Sequence, residues 1–204
     1  MTKRLFQLGI VLMLGTLLAD QFGCASSPPT RFYLLSSLPT ASPETKPLLG
    51  ESCFSIGIGP INMPTYLDQP NIVTRTTANE LLLAEFDQWA ESLKENFTRV
   101  VAENLSTFVC TKTVVVFPWR GKIPIDYRIE MDVLRFDGTL GRDVYLEAWC
   151  RVFSGDGKTM LLSRKVNLSG PVDDGNYKSL VSAQSRILEK LSREIAEAIK
   201  NVSK

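Results

Sequence analysis

Across residues 127–152 apolar and polar side chains alternate, and this period of two narrows the choice of fold more than any other feature. Tyr127, Ile129, Met131 and Val133 are interleaved with Arg128, Glu130 and Asp132. Val144, Leu146, Ala148, Cys150 and Val152 are interleaved with Tyr145, Glu147, Trp149 and Arg151. Successive side chains of a strand point to opposite faces, so each run predicts a half-buried strand. Gly155-Asp156-Gly157-Lys158 predicts a hairpin turn, with Met160 to Leu168 as the return strand. Three strands joined by short turns form an antiparallel meander, and its apolar face needs a cover.

The C-terminal segment supplies one. From about Asn176 to Val202, Leu180, Ile187, Leu188, Leu191, Ile195, Ile199 and Val202 recur on one helical face. Glu189–Arg193, Lys190–Glu194 and Arg193–Glu197 lie four apart and add a few tenths of a kcal/mol each on such a helix. Earlier in the chain, Ser55 to Ile61 reads as a strand with glycines on one side and isoleucines on the other. Pro60 restricts it to an edge or to its end. The GIGP tetrapeptide lacks a Lys and the GxGxxG spacing, so it is not read as a phosphate loop. Thr113 to Phe117 is a β-branched strand that Pro118 stops, and Tyr66 to Pro70 is a turn.

The stretch after Arg75 admits two readings. Leu82, Phe86, Trp89, Leu93, Phe97 and Val100 have helical spacing, which allows one helix over about 79–109. The other reading is a hairpin of Ile72–Thr76 and Leu81–Asp87, followed by a helix from Ser92. Ser92-Leu93-Lys94-Glu95 fits a capping box at that start. Either way the elements predict an α+β single domain, a mostly antiparallel sheet with two main helices packed on one face.

The N-terminal end speaks to location. Lys3 and Arg4 precede an apolar run from Leu5 to Ala19, and the small Gly23 directly precedes Cys24. A positive end, a short apolar stretch and a small-residue cleavage site make a secretory signal peptide over residues 1–23. The cysteine after the small residue resembles the lipobox of bacterial lipoproteins, with Gln21 where an aliphatic residue is usual. That resemblance implies a lipidated Cys24 and a Ser/Pro-rich tether over residues 24–31, ahead of a domain at 32–204. Ala25, where an Asp would resemble an inner-membrane retention signal, favours the outer membrane of a Gram-negative cell, with the protein facing the periplasm. The alternative is an ordinary signal peptide whose Cys24 enters a disulfide.

The chain has no histidine, which removes Ser-His-Asp and Cys-His catalysis and histidine-ligated zinc. Beyond residue 23 it carries 21 basic and 21 acidic residues, with no basic run to attract nucleic acid. No enzyme activity, metal or cofactor is expected, apart from the covalent lipid. Cys53, Cys110 and Cys150 are widely spaced, without a metal-ligand pattern. The favoured reading is three small buried thiols; one disulfide with an odd thiol left over is the other. Sequons at Asn96, Asn104, Asn167 and Asn201 are read as coincidental in a bacterial lipoprotein.

A series of short motifs starts with Phe32-Tyr33-Leu34-Leu35, Ile56-Gly57-Ile58-Gly59-Pro60, Tyr66-Leu67-Asp68 and Ile72-Val73-Thr74-Arg75. It continues through Asn79-Glu80-Leu81, Glu85-Phe86, Trp89-Ala90-Glu91, Pro118-Trp119 and Asp126-Tyr127-Arg128-Ile129. It ends with Arg135-Phe136-Asp137 and Leu180 through Ile199. In this order the series resembles the ABC-type transport auxiliary lipoproteins, the PqiC-like family. The family has a strand before Trp89, which implies the hairpin reading, and Ser92 stands where it often has Pro. The resemblance implies a non-enzymatic partner of MCE-domain proteins that bridge from an inner-membrane complex and move phospholipids or similar apolar substrates. It also implies a homo-oligomer.

Tyr66, Trp119 and Arg120 are the candidate partner-contact residues, because aromatics and Arg dominate interface hot spots. For Trp119 the competing reading is closure of the core beside a strand end, and Trp89 is read as core. Asp126, Glu130 and Asp132 are read as a solvated strand face. The functions in view are a docking component of a lipid-transport system, an independent lipid-binding shuttle, and a structural envelope lipoprotein.

Overall fold

The computed structural model describes residues 27–38, 53–119 and 123–203. Residues 1–26, with the signal segment and Cys24, residues 39–52, and residues 120–122, with Arg120, lie outside the described residues. The strands are β1 (Arg31–Tyr33), β2 (Phe54–Asn62), β3 (Asn71–Thr77) and β4 (Glu80–Trp89), then β5 (Thr111–Val116), β6 (Tyr127–Gly138), β7 (Asp143–Ser154) and β8 (Met160–Pro171). Among the described residues there are also two α-helices, α1 (Leu93–Phe108) and α2 (Tyr177–Val202), and a 3-10 turn at Thr65–Leu67.

The expected meander is present. β6–β7 and β7–β8 are long antiparallel ladders in which Met131 faces Cys150 and Trp149 faces Lys165. Ile129, Met131, Leu146 and Ala148 are fully buried on the side that the helices cover, and Phe97 of α1 meets Phe136 of β6 edge to face at 5.3 Å. Burial of such side chains contributes roughly 1.5–3 kcal/mol each. The α+β architecture is therefore the one that the periodicities predict.

Pairing is where the structure departs from local pattern. The strands make two sheets: β1-β4-β3, and β5-β2-β6-β7-β8. β2 runs parallel to both of its neighbours, and β1 runs parallel to β4. So β2 is not an edge strand. Pro60 is tolerated near its end, where the register with β6 shifts between Ile58 and Ile61 and the missing N–H breaks no regular ladder.

The stretch after Arg75 is the hairpin, with Ala78 and Asn79 between β3 and β4, and the single-helix reading fails. Ser92 is the N-cap of α1, but its side chain makes no capping hydrogen bond. The capping box is thus a correct marker of the helix start without the bond that motivated it. On α2 the cap is real: Asn176 accepts from the Ser179 amide at 2.9 Å. Of the three expected ion pairs on α2, Glu189–Arg193 forms at 3.3 Å. Glu194 instead turns to Arg164 of β8, a cross-element partner that the helix sequence alone does not reveal.

The three-thiol reading is also corrected. Cys53 and Cys110 form a disulfide, joining the residues just before β2 and β5, and Cys150 remains a buried free thiol. The two strands are parallel neighbours, so their leading residues meet although 57 positions separate them. Ahead of β2, residues 35–38 lie across both helices. The Leu35 amide donates to Asn96 Oδ1 at 2.6 Å, Ser36 to Ser185 Oγ at 3.1 Å, and Leu38 to Asn104 Oδ1 at 2.9 Å. Asn96 and Asn104, both in sequons, are buried in this role.

Candidate functional site

The C-terminal ends of β2 and β5 meet the first turn of α1 around a cleft of about 340 Å³. Ile58, Ile61, Val116 and Phe117 give it an apolar floor and wall, and Lys94 and Glu95 stand at the helix start. Val116 is the register partner of Ile58, which places both on the helix side of the sheet. Yet Val116 is 45% exposed and Phe117 is 51% exposed. Among the described residues β5 is also the outermost strand of its sheet, so its outer edge offers backbone N–H and C=O groups beside this apolar cleft.

Gly59 makes the close packing at the cleft work. It has φ of 108°, in the region that favours glycine, and a Cβ there would stand 2.8 Å from the Phe117 Cβ. Two residues back on the same strand, Gly57 leaves room for Trp119. A Cβ at Gly57 would lie 3.3 Å from Trp119 Cζ2.

Trp119 is half-buried over that glycine. Phe117 meets its ring edge to face at 5.2 Å, and the Arg128 guanidinium lies 5.2 Å from its centroid on the strand beside Gly57. Trp119 thus closes a sheet surface, while its neighbours Val116 and Phe117 carry the exposed apolar area. Sequence reasoning passed over these two because they read as strand residues. The signal available was a β-branched run ending in Phe-Pro.

Tyr66 belongs to a different cluster. Its hydroxyl donates to Asp137 Oδ2 at 3.0 Å. Arg75 donates to the same carboxylate through Nη2 at 2.8 Å, and Arg135 through Nε at 2.8 Å. Burial works to raise the Asp137 pKa, but the bonds from Arg75 and Arg135 outweigh it and hold the carboxyl below the usual range. Burial, followed by the Asp137 charge, pushes the Tyr66 phenol up to about 12. Arg135 also stacks over Tyr145 at 4.2 Å. Arg128, beneath Trp119, and Asp137 lie nine positions apart on β6, about 30 Å of strand. The structure does not bring Tyr66 and Trp119 into one site.

The acidic residues at the start of β6 and just before it do not converge either. Asp126 accepts from the Ser55 amide at 2.8 Å, and Asp132 accepts from Asn62 and Arg151. Trp89 is buried in the core, as read. Among the described residues no cluster of three or more His, Cys, Asp or Glu could hold a metal ion, and no helix is long and apolar enough to cross a membrane.

Comparison with known proteins gives one family and one fold. The model of the family described as ABC-type transport auxiliary lipoprotein component matches residues 33–196. No curated protein matches the chain. Among solved structures, a Xanthomonas campestris protein of the family DUF330 is similar with a TM-score of 0.68 at 16% identity, covering 85% of this chain and 96% of that one. A crystal structure of an uncharacterized protein is similar with a TM-score of 0.68 at 16% identity, covering 84% and 99%. A hypothetical protein from Chlamydia trachomatis has a TM-score of 0.46 at 11% identity, covering 74% and 98%.

Proposed function

The chain belongs to the ABC-type transport auxiliary lipoprotein family, and from that premise we propose that it is the docking component of an envelope lipid-transport system. In this reading Cys24 carries the lipid anchor, the domain hangs from the outer membrane into the periplasm, and an MCE-domain protein reaches it from an inner-membrane ABC-type complex. Energy enters at the inner membrane, so this chain contributes binding rather than catalysis. Two or more acyl chains hold a protein on a bilayer durably, at about 0.8 kcal/mol per buried methylene.

The observation that carries the reading is the family match, which spans the cleft and nearly all of the described fold. The cleft supports a protein partner over a transported lipid. Its volume of about 340 Å³ is at the low end for small-molecule pockets, so a two-chain lipid would stand mostly outside it. An exposed strand edge beside apolar side chains suits an extended peptide, which adds to the sheet through main-chain hydrogen bonds and seats alternate side chains in the cleft.

The test is cross-linking of the full-length protein in its native envelope, followed by mass-spectrometric identification. Recovery of an MCE-domain protein, linked near 116–119, is the expected result. Recovery of this chain alone, under conditions that preserve other envelope complexes, would overturn the docking role and favour an independent lipid shuttle.

A further inference from the structure

Phe32 of β1 and Leu34, just after the strand, are apolar side chains that no other described residue covers. Phe32 is 63% exposed and Leu34 is 48% exposed, in a segment whose alternate residues are firmly held. The Tyr33 hydroxyl donates to Asp87 Oδ1 at 2.6 Å. Leu35 is buried, and its amide donates to Asn96 Oδ1. Arg31, on the same side as Tyr33, pairs with Asp87 at 2.9 Å. Tyr33 and Leu35 are held inward, and the period of two turns 32 and 34 outward. Their exposure therefore follows from the packing of their neighbours, and β1 lies at the edge of its sheet.

What lies near that edge follows from chain length. Phe32 lies eight positions and Leu34 ten positions beyond Cys24, so at about 3.4 Å per residue an extended chain reaches at most roughly 27 Å and 34 Å. A lipid on Cys24 keeps the two residues within about those distances of the bilayer in every orientation of the domain. We infer that Phe32 and Leu34 form a second membrane contact, seated in the headgroup–acyl boundary of the leaflet that holds the anchor. This rests on the lipidation of Cys24 proposed above. An anchor of acyl chains alone would leave the domain free to swivel; a contact on β1 sets its orientation and turns the cleft at β2 and β5 in a defined direction.

The test uses full-length protein in nanodiscs of phosphatidylethanolamine and phosphatidylglycerol. Intact mass first reports whether Cys24 is acylated. Nitroxide labels are placed one at a time at Phe32→Cys, Leu34→Cys and, as a control, Met160→Cys, which is 51% exposed in the meander. All three positions are exposed, so unchanged melting curves are expected. Labels at 32 and 34 should collide more with oxygen than with a water-soluble nickel chelate, and the label at 160 should show the reverse. Aqueous accessibility at 32 and 34 on an acylated, disc-bound protein would overturn the membrane contact and leave the anchor standing, as would burial there against a second protein copy in place of lipid. A protein without acyl chains on Cys24 would overturn both.

Discussion

Arg75 of β3 donates to the fully buried carboxylate of Asp137 on β6, through Nε and through Nη2 at 2.8 Å, and so ties the small sheet to the large one. Arg135 and Tyr66 complete the ring around that carboxylate. Removing it by Asp137→Ala leaves two guanidinium groups facing each other. Breaking a buried pair costs about 3–5 kcal/mol, and the lower end, about 3 kcal/mol, is expected because the Arg75 and Arg135 side chains are 20% and 25% exposed. Urea unfolding of the variant and the parent measures the loss.

The same carboxylate gives a pH dependence with a definite sign. Its folded pKa lies below the ordinary value of about 3.9, so the unfolded chain takes up the proton first as pH falls. Its contribution is whole above about pH 5 and is lost as pH drops through 4 toward the folded value. Asp132, lowered by its bonds from Asn62 and Arg151, acts in the same direction. Urea midpoints between pH 6 and pH 2 should therefore fall less steeply in Asp137→Asn than in the parent. Equal slopes would remove Asp137 from the account.

At the alkaline end, Tyr33 and Tyr66 are both pushed up to about 12, chiefly by burial and then by their carboxylate partners Asp87 and Asp137. A raised phenol pKa stabilises the fold fully below about pH 10 and is lost as pH rises toward 12. Phenolate absorbance should show a late titrating class that shrinks in Tyr66→Phe.

Gly59→Ala places a Cβ against Phe117 and strains a backbone at φ 108°. A loss of more than about 1 kcal/mol is expected, with reduced capture of the partner because the cleft wall shifts. Phe117→Ala separates the two effects. Its ring is 51% exposed, so capture should fall while the urea midpoint stays close to that of the parent.

Non-reducing peptide mapping should recover Cys53 linked to Cys110. Closing a loop of 57 residues predicts about 4 kcal/mol of stabilisation on chain entropy, lost in Cys110→Ser. Cys150 should resist alkylation until the protein unfolds, since burial, with Glu194 nearby, pushes its thiol up to about 12.

Local periodicity alone determined the strands of the meander and the span of α2, while the start of α1 at Ser92 rested on the capping box and on the motif series that marks the family. A period of two or of 3.6 states which side of an element is apolar, and that information is carried by neighbours in the chain. Only the tertiary structure decided that β2 lies between β5 and β6, that Cys53 meets Cys110, that Tyr66 serves Asp137 while Trp119 covers Gly57, and that Phe117 stays in solvent. Each of these is a choice of partner between residues dozens of positions apart. Such choices are set by which burials can be satisfied together in three dimensions, and a run of adjacent residues carries no record of them.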